Sequence, residues 1–239
     1  MTNPPTVDDL VALATETLSR TDRYAVIELL VSHDPQLAAQ VYQKLQIDAY
    51  WKQKNLPATI AVSQAGIHHC LNEAGKAADA GVARNLRGIA KALAFNLASF
   101  TWPGWNEEGI PITPSDLAIG LEAARLNVQL AQELDRPDKA KANALWTLGA
   151  QQLAAGNYDL AGDTFVLAKS HAVRAQEKTM AQMLEGYLLM AQFLAQPGGD
   201  RTRFNGVVDA LRNDGTEDGK GFAEQLSVAM KVFHQRFLL

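Results

Sequence analysis

The chain has 239 residues, 47 % hydrophobic and only 7 % aromatic, with 22 basic against 26 acidic side chains and a formal charge of −4. That balance lacks the basic excess that phosphate neutralisation needs, which argues against a nucleic-acid partner. The single cysteine, Cys70, excludes an intrachain disulfide, and no apolar run reaches the roughly 18 residues of a membrane-spanning helix, so no membrane partner is expected.

The N-terminal stretch MTNPPTVDDL has no basic segment leading into an apolar core. A secretory signal is therefore not expected, and the reduced cytoplasm is the expected compartment. From Val7 onward the apolar residues recur with the period of a helix. The pattern predicts helices near 7–20, 22–33, 35–54, 57–80, 82–101, 114–135, 138–155, 158–174, 176–195, 201–212 and 219–238. The expected fold class is all-α, with about 10 or 11 helices in one domain over 1–239. Breaks are expected at Asp34-Pro35, Leu56-Pro57, Gly156-Asn157 and Pro197-Gly198-Gly199, since proline lacks the amide and glycine disfavours helix.

In the fourth helix the run GIHHC, residues 66–70, brings two histidines next to Cys70. Adjacent helical residues point about 100° apart, so His68, His69 and Cys70 cannot share one ion. His69 and Glu73 are spaced for a two-ligand edge, but zinc wants more donors than the sequence supplies nearby. No metal site is expected. The next helix carries the best basic row, Arg84, Arg87 and Lys91, which reads as a solvated face.

Residues 100–114, FTWPGWNEEGIPITP, hold half of the four tryptophans in one long loop. As a joint between two helices it exceeds the usual two to eight residues. Trp102, Trp105, Ile110 and Ile112 are expected to pack over helix ends in the manner of an Ω-loop. Trp105 facing a ligand is the functional alternative, because long ordered loops often carry function. Glu107 and Glu108 read as solvated carboxylates rather than a catalytic pair. The helix at 114 is well announced: Thr113 caps, Pro114 fits the first position, and Asp116 meets the free amides. Within it Leu117, Leu121, Ala124, Val128 and Ala131 form one stripe, and Ile119, Ala123, Leu126 and Leu130 a second. Two stripes predict two neighbours.

The first stripe recurs. A shift of 44 residues takes Leu117, Leu121, Ala124 and Val128 onto Ala161, Phe165, Ala168 and Ala172, and a further 43 takes the first three of those onto Phe204, Val208 and Leu211. Helix pairs at such an interval are the sequence signature of a stacked array. The clearest unit is ALWTLGAQQLAAGNYDLAGDTFVLAKSHA, residues 144–172. Leu148-Gly149, the Gly156-Asn157-Tyr158 turn, and Ala161, Phe165 and Ala168 resemble a tetratricopeptide repeat, with the best repeat unit spanning 142–175. Leu145, Gln152 and Val173 depart from the family's Trp, Tyr and Pro.

The resemblance implies a right-handed superhelical array of antiparallel hairpins. It implies a protein or peptide segment as partner, held on a concave face lined by first helices. The implied partner-binding residues are Asn143, Trp146, Thr147, Ala150 and Leu153, followed by Met180, Met183, Leu184 and Tyr187. The carboxylate clamp of some family members is not expected, because Thr147 stands where the clamp has Asn and no Lys/Arg set follows. The alternative is that Trp146 and Tyr187 are core. A second functional alternative is a small-molecule sensor with a pocket near Trp102 and Trp105.

No nucleophile elbow, zinc-protease, P-loop or dinucleotide motif occurs. No catalytic residue, no cofactor and no enzymatic activity are expected. NDGTEDGKG at 213–221 places Asp214, Glu217 and Asp218 close together, without the spacing of a calcium loop. The last helix is expected to cap the array over 219–238. Its apolar tail VFHQRFLL either seals the last hairpin or joins a second copy in a homo-oligomer.

Overall fold

The computed structural model describes residues 5–20, 23–196 and 200–236. Among them are eleven α-helices and no strand. They are α1 (Val7–Arg20), α2 (Arg23–Val31), α3 (Pro35–Trp51), α4 (Leu56–Lys76), α5 (Ala80–Phe100), α6 (Pro114–Glu133), α7 (Asp138–Ala154), α8 (Tyr158–Arg174), α9 (Lys178–Ala195), α10 (Thr202–Arg212) and α11 (Glu217–Arg236). No helix among the described residues is long and apolar enough to cross a membrane. The expected break at Pro197-Gly198-Gly199 and the tail residues Phe237 and Leu238 lie outside the described residues.

The helix starts follow from side-chain chemistry. Asp34 accepts the amides of Gln36 and Leu37 at 3.0 Å to open α3, and Asn55 accepts that of Ala58 to open α4. Thr113 and Asp116 form a reciprocal capping box on α6, with Pro114 at the first position. Three successive helix ends share one device. Asp135, Gly156 and Gln176 take positive φ, and the following amide closes a bond of 2.9–3.0 Å back to Ala131, Gln152 and Ala172 respectively. This left-handed cap turns the chain within three or four residues, so α6, α7, α8 and α9 fold back on one another in sequence.

The chain divides into two compact units, Met1–Phe100 and Thr101–Leu239. The two helices flanking the tryptophan loop, α5 and α6, therefore belong to different units. In the first unit α3 packs on α1, α4 and α5, and α4 on α5. Tyr42, Leu45, Val62, Cys70, Leu86, Leu93 and Leu97 are buried there. Gln46, itself fully buried, donates to Ser63 Oγ at 2.8 Å and to the Leu93 carbonyl at 2.9 Å, and accepts from Asn96 Nδ2 at 2.9 Å. One amide thus ties three helices together.

In the second unit α6 packs on α7, α7 on α8, α8 on α9, and α10 and α11 on α9 and on each other. Ala161, Phe165, Ala168 and Ala172 of α8 are all at 0 % exposure, and Phe204, Val208 and Leu211 of α10 are buried as well. Gly149 is needed for the α7–α8 contact: a Cβ there would lie 2.6 Å from Phe165 Cε1. The two stripes expected on α6 merge into one buried face, Gly120, Ala123, Ala124, Asn127, Leu130 and Ala131. Leu117, Ile119, Leu121, Leu126 and Val128 sit at its half-buried margins. Apolar patterning overlooked Gly120 and Asn127 at the centre, where the small side chain allows close packing.

Candidate functional site: an acidic groove beside an aromatic cluster

The tryptophan loop is packed, as its composition required. Trp102 and Ile110 are buried, while Trp105 and Ile112 are half-buried. Residues Pro103–Trp105 form a single 3₁₀ turn. Gly104 allows it, since a Cβ there would meet the Trp102 ring at 2.2 Å. Trp102 Nε1 donates to the Ala150 carbonyl of α7 at 2.9 Å, which satisfies the indole and fixes its plane.

Around Trp102 the second unit gathers rings from distant parts of the sequence. Trp105 lies 5.0 Å away edge-on, Trp146 6.1 Å, Tyr187 6.0 Å and Phe233 6.0 Å. Phe165 stacks on Tyr187 at 5.2 Å. These separations fall in the range where aromatic pairs attract beyond their buried area. Tyr187 Oη accepts from Gln225 Nε2 at 2.7 Å. Burial nevertheless pushes the Tyr187 hydroxyl far above the usual phenol range, because the anion would be desolvated.

The residues implied as a concave binding face are thereby accounted for. Trp146, Thr147, Ala150, Leu153, Met180, Met183, Leu184 and Tyr187 are all buried. Asn143 is half-buried, and its carbonyl accepts from Thr147 Oγ1. They do not present an open surface. α11 and the 3₁₀ turn pack against each other, and α11 packs on α9. Leu226 approaches Gly186 so closely that a Cβ there would lie 2.5 Å from it. On α9 the side chains against Gly186 and Tyr187 come from α11 of the same unit. The sequence reading assigned α11 a capping role at the end of the array. The spacing of Ala223, Leu226, Ala229, Met230 and Phe233 was the available signal that it carries a buried stripe.

Where the turn meets α11 a groove remains, with a cavity of about 410 Å³. Trp105, Phe222 and Val228, all half-buried, supply its apolar surface, and Gln225 links it to Tyr187. Glu217, Asp218 and Glu224, all exposed, line it with carboxylates, and no basic side chain lines it. Glu217 pairs with Lys220 at 2.7 Å. Among the described residues neither Asp218 nor Glu224 forms an ion pair, although Lys139 is near enough to feel Asp218.

The remaining candidates have structural roles. His69 Nε2 lies 3.0 Å from the Pro35 carbonyl, His68 is exposed and Cys70 is buried. Arg84 and Arg87 are exposed, and Lys91 Nζ lies 5.8 Å from the Phe95 ring centre. Asp214 accepts the Thr216 amide at 2.7 Å and its hydroxyl at 2.8 Å, which holds its carboxyl below the usual range. Thr216 Oγ1 in turn accepts the Gly219 amide, so the polar joint is the cap of α11. Among the described residues no group of three metal-ligating side chains converges.

No protein-family model matches the chain, and comparison with curated proteins and with solved structures gives no match either. The function is therefore argued from the groove itself.

Proposed function

We propose that this chain is a non-catalytic, cytoplasmic binding protein, built as a divergent tetratricopeptide-like stack of helical hairpins. Its partner is a basic segment of another protein, docked in the groove between Trp105 and α11. The observation that carries the reading is the groove's composition: an aromatic and aliphatic floor edged by Glu217, Asp218 and Glu224 with no lining cation. A Lys or Arg side chain suits it chemically. Its stem covers Phe222 and Val228, its charge meets the carboxylates, and a cation over an indole face gains about 0.5–2 kcal/mol. The stack itself is supported by the repeated left-handed caps after α6, α7 and α8 and by the Gly149–Phe165 contact.

The cavity also falls within the size range of small-ligand sites. A small organic cation is the second reading, and the same carboxylates favour it. A photocrosslinker replacing Phe222 in the native cell separates the two. Crosslinked peptides containing Lys or Arg are expected, and they should disappear in a Glu217→Gln, Asp218→Asn, Glu224→Gln background. Crosslinked segments without basic residues, or recovery unchanged by the triple substitution, overturn the reading. Absence of any protein adduct favours the small cation.

A further inference from the structure

Among the described residues of the second unit, the exposed large apolar side chains all lie on one helix. Among the described residues they are Leu160, Val166, Leu167 and Val173 of α8, at 51, 52, 47 and 59 % exposure. With Asp159, Asp163, Ser170 and Arg174 they fall within an arc of about 140° at 100° per residue. Scattered exposed apolar residues need no explanation, but a stripe of four on a single face does.

The stripe is self-complementary. Leu160 and Val173 are equidistant from the midpoint between Val166 and Leu167, and so are Asp159 and Arg174. We propose that the outer face of α8 is a homodimer contact. In it, α8 packs antiparallel on α8 of a second copy about a twofold axis between Val166 and Leu167. The twofold operation brings Val166 level with Leu167 of the second copy, Leu160 with Val173, and Asp159 with Arg174. Val166 and Leu167 of both copies form the apolar centre of the contact, Leu160 and Val173 border it on opposite edges of the face, and each end contributes an opposite-charge pair, twice over by symmetry.

The polar residues within the stripe are compatible with this packing. Ser170 Oγ donates to the Leu167 carbonyl at 2.7 Å, so it makes no demand on solvent. The two Asp163 carboxylates lie level with Ser170 rather than with each other. They are separated along the axis by about 10 Å, a distance over which salt screens their repulsion. Arg174 is oriented by Asp138, 3.2 Å from its guanidinium, while half of its side chain stays exposed. The face also borders a cavity of about 270 Å³ in which Tyr158, Val166, Leu188 and Ala191 are mixed with Asp159, Asp163 and Gln192, so it offers polar as well as apolar partners to the second copy.

One helical face supplies less area than the roughly 800 Å² per partner of a standard-size interface, so a weak, micromolar-range dimer is expected. Sedimentation velocity on the full chain between about 5 and 500 µM brackets that range. The mass is expected to rise from 25.9 kDa towards twice that value. Leu167→Asp, at an exposed position, is expected to weaken association at least tenfold with an unchanged helical circular-dichroism spectrum. Asp159→Arg and Arg174→Asp are each expected to weaken it when alone. Mixed in equal amounts they should associate more tightly than either, because both charge pairs are restored across the heterodimer. A wild-type chain that stays monomeric throughout, a Leu167→Asp variant that dimerises as before, or a mixture no tighter than its components overturns the proposal.

Discussion

At the centre of the first unit one glutamine, Gln46, reaches Ser63 on α4 and both Leu93 and Asn96 on α5. At the centre of the second unit Trp102 touches Trp105, Trp146, Tyr187 and Phe233. The first seam is directional: three hydrogen bonds fix how three helices sit, and their net worth is small because water competes for every partner in the unfolded chain. The second seam is bulky. Its rings bury large areas and take their geometry from mutual packing, with the hydrogen bonds from Trp102 to Ala150 and from Gln225 to Tyr187 setting two of the planes. One unit relies on specificity per contact and the other on area, so truncation should cost them differently.

The largest effect is expected from Trp102→Ala. Removing this ring leaves a cavity among four others and deletes its bond to the Ala150 carbonyl, for a loss of about 3–5 kcal/mol. Denaturant titration followed by circular dichroism measures it. The control is Trp51→Ala in the first unit. Trp51 also touches rings, Tyr50 and Phe100, but is 54 % exposed, so its loss should cost about 1 kcal/mol or less. Equal costs at the two tryptophans would falsify the view that the second unit is held by its ring cluster.

A middle effect belongs to Gln46→Leu. The substitution keeps most of the volume and deletes three hydrogen bonds at once. It leaves Asn96 Nδ2 without its Gln46 acceptor, while the Leu93 carbonyl keeps its helical donor, at a cost of about 1–3 kcal/mol. Amide hydrogen exchange would show the loss of order in α3–α5 while the ring resonances around Trp102 stay in place. A neutral or stabilising result would mean that the amide serves geometry alone and that an apolar seam closes the three helices equally well.

These seams also mark where sequence reading succeeded and where it stopped. Helix positions were legible because apolar period and caps are local: Thr113, Pro114 and Asp116 announce α6 without help from any distant residue. The packing of the tryptophan loop was legible too, because Trp102 and Ile110 are costly to leave in water. Gln46 was invisible, since a glutamine in a helix looks like a surface residue until three partners from 17 to 50 positions away surround it. The positive-φ caps at Asp135 and Gln176 lacked the glycine that marks Gly156. Trp146 and Tyr187 read from sequence as either a binding face or core, because a ring does not say whether its complement is another protein or another segment of the same chain. The acidic groove escaped for the same reason: Trp105 and α11 are distant in sequence and meet only in the fold.

The smallest effect is expected at alkaline pH, and it should start in the first unit. Cys70, fully buried beside Tyr42, has its thiol pushed by desolvation from 9.0 up to about 12, and Tyr42 is likewise raised, to about 12 from 10.0. Both groups are acids whose neutral form the fold prefers. Below pH 9 folded and unfolded chains hold the same thiol proton and Cys70 contributes no pH dependence. Above pH 9 the unfolded chain releases that proton while the folded chain keeps it, so stability falls with slope approaching about 1.4 kcal/mol per pH unit until the folded group titrates near pH 12. In the second unit the corresponding group is Tyr187, whose ordinary value of 10.0 delays its contribution. Between pH 9 and 10, then, the loss should be confined to the first unit, and Cys70→Ala should remove most of it at the expense of a small constant destabilisation from the lost sulfur. Denaturation midpoints of the two proteins across pH 8–10.5, together with slow reaction of native Cys70 towards a thiol reagent, measure this directly. Parallel curves for wild type and Cys70→Ala would show that the alkaline loss comes from elsewhere.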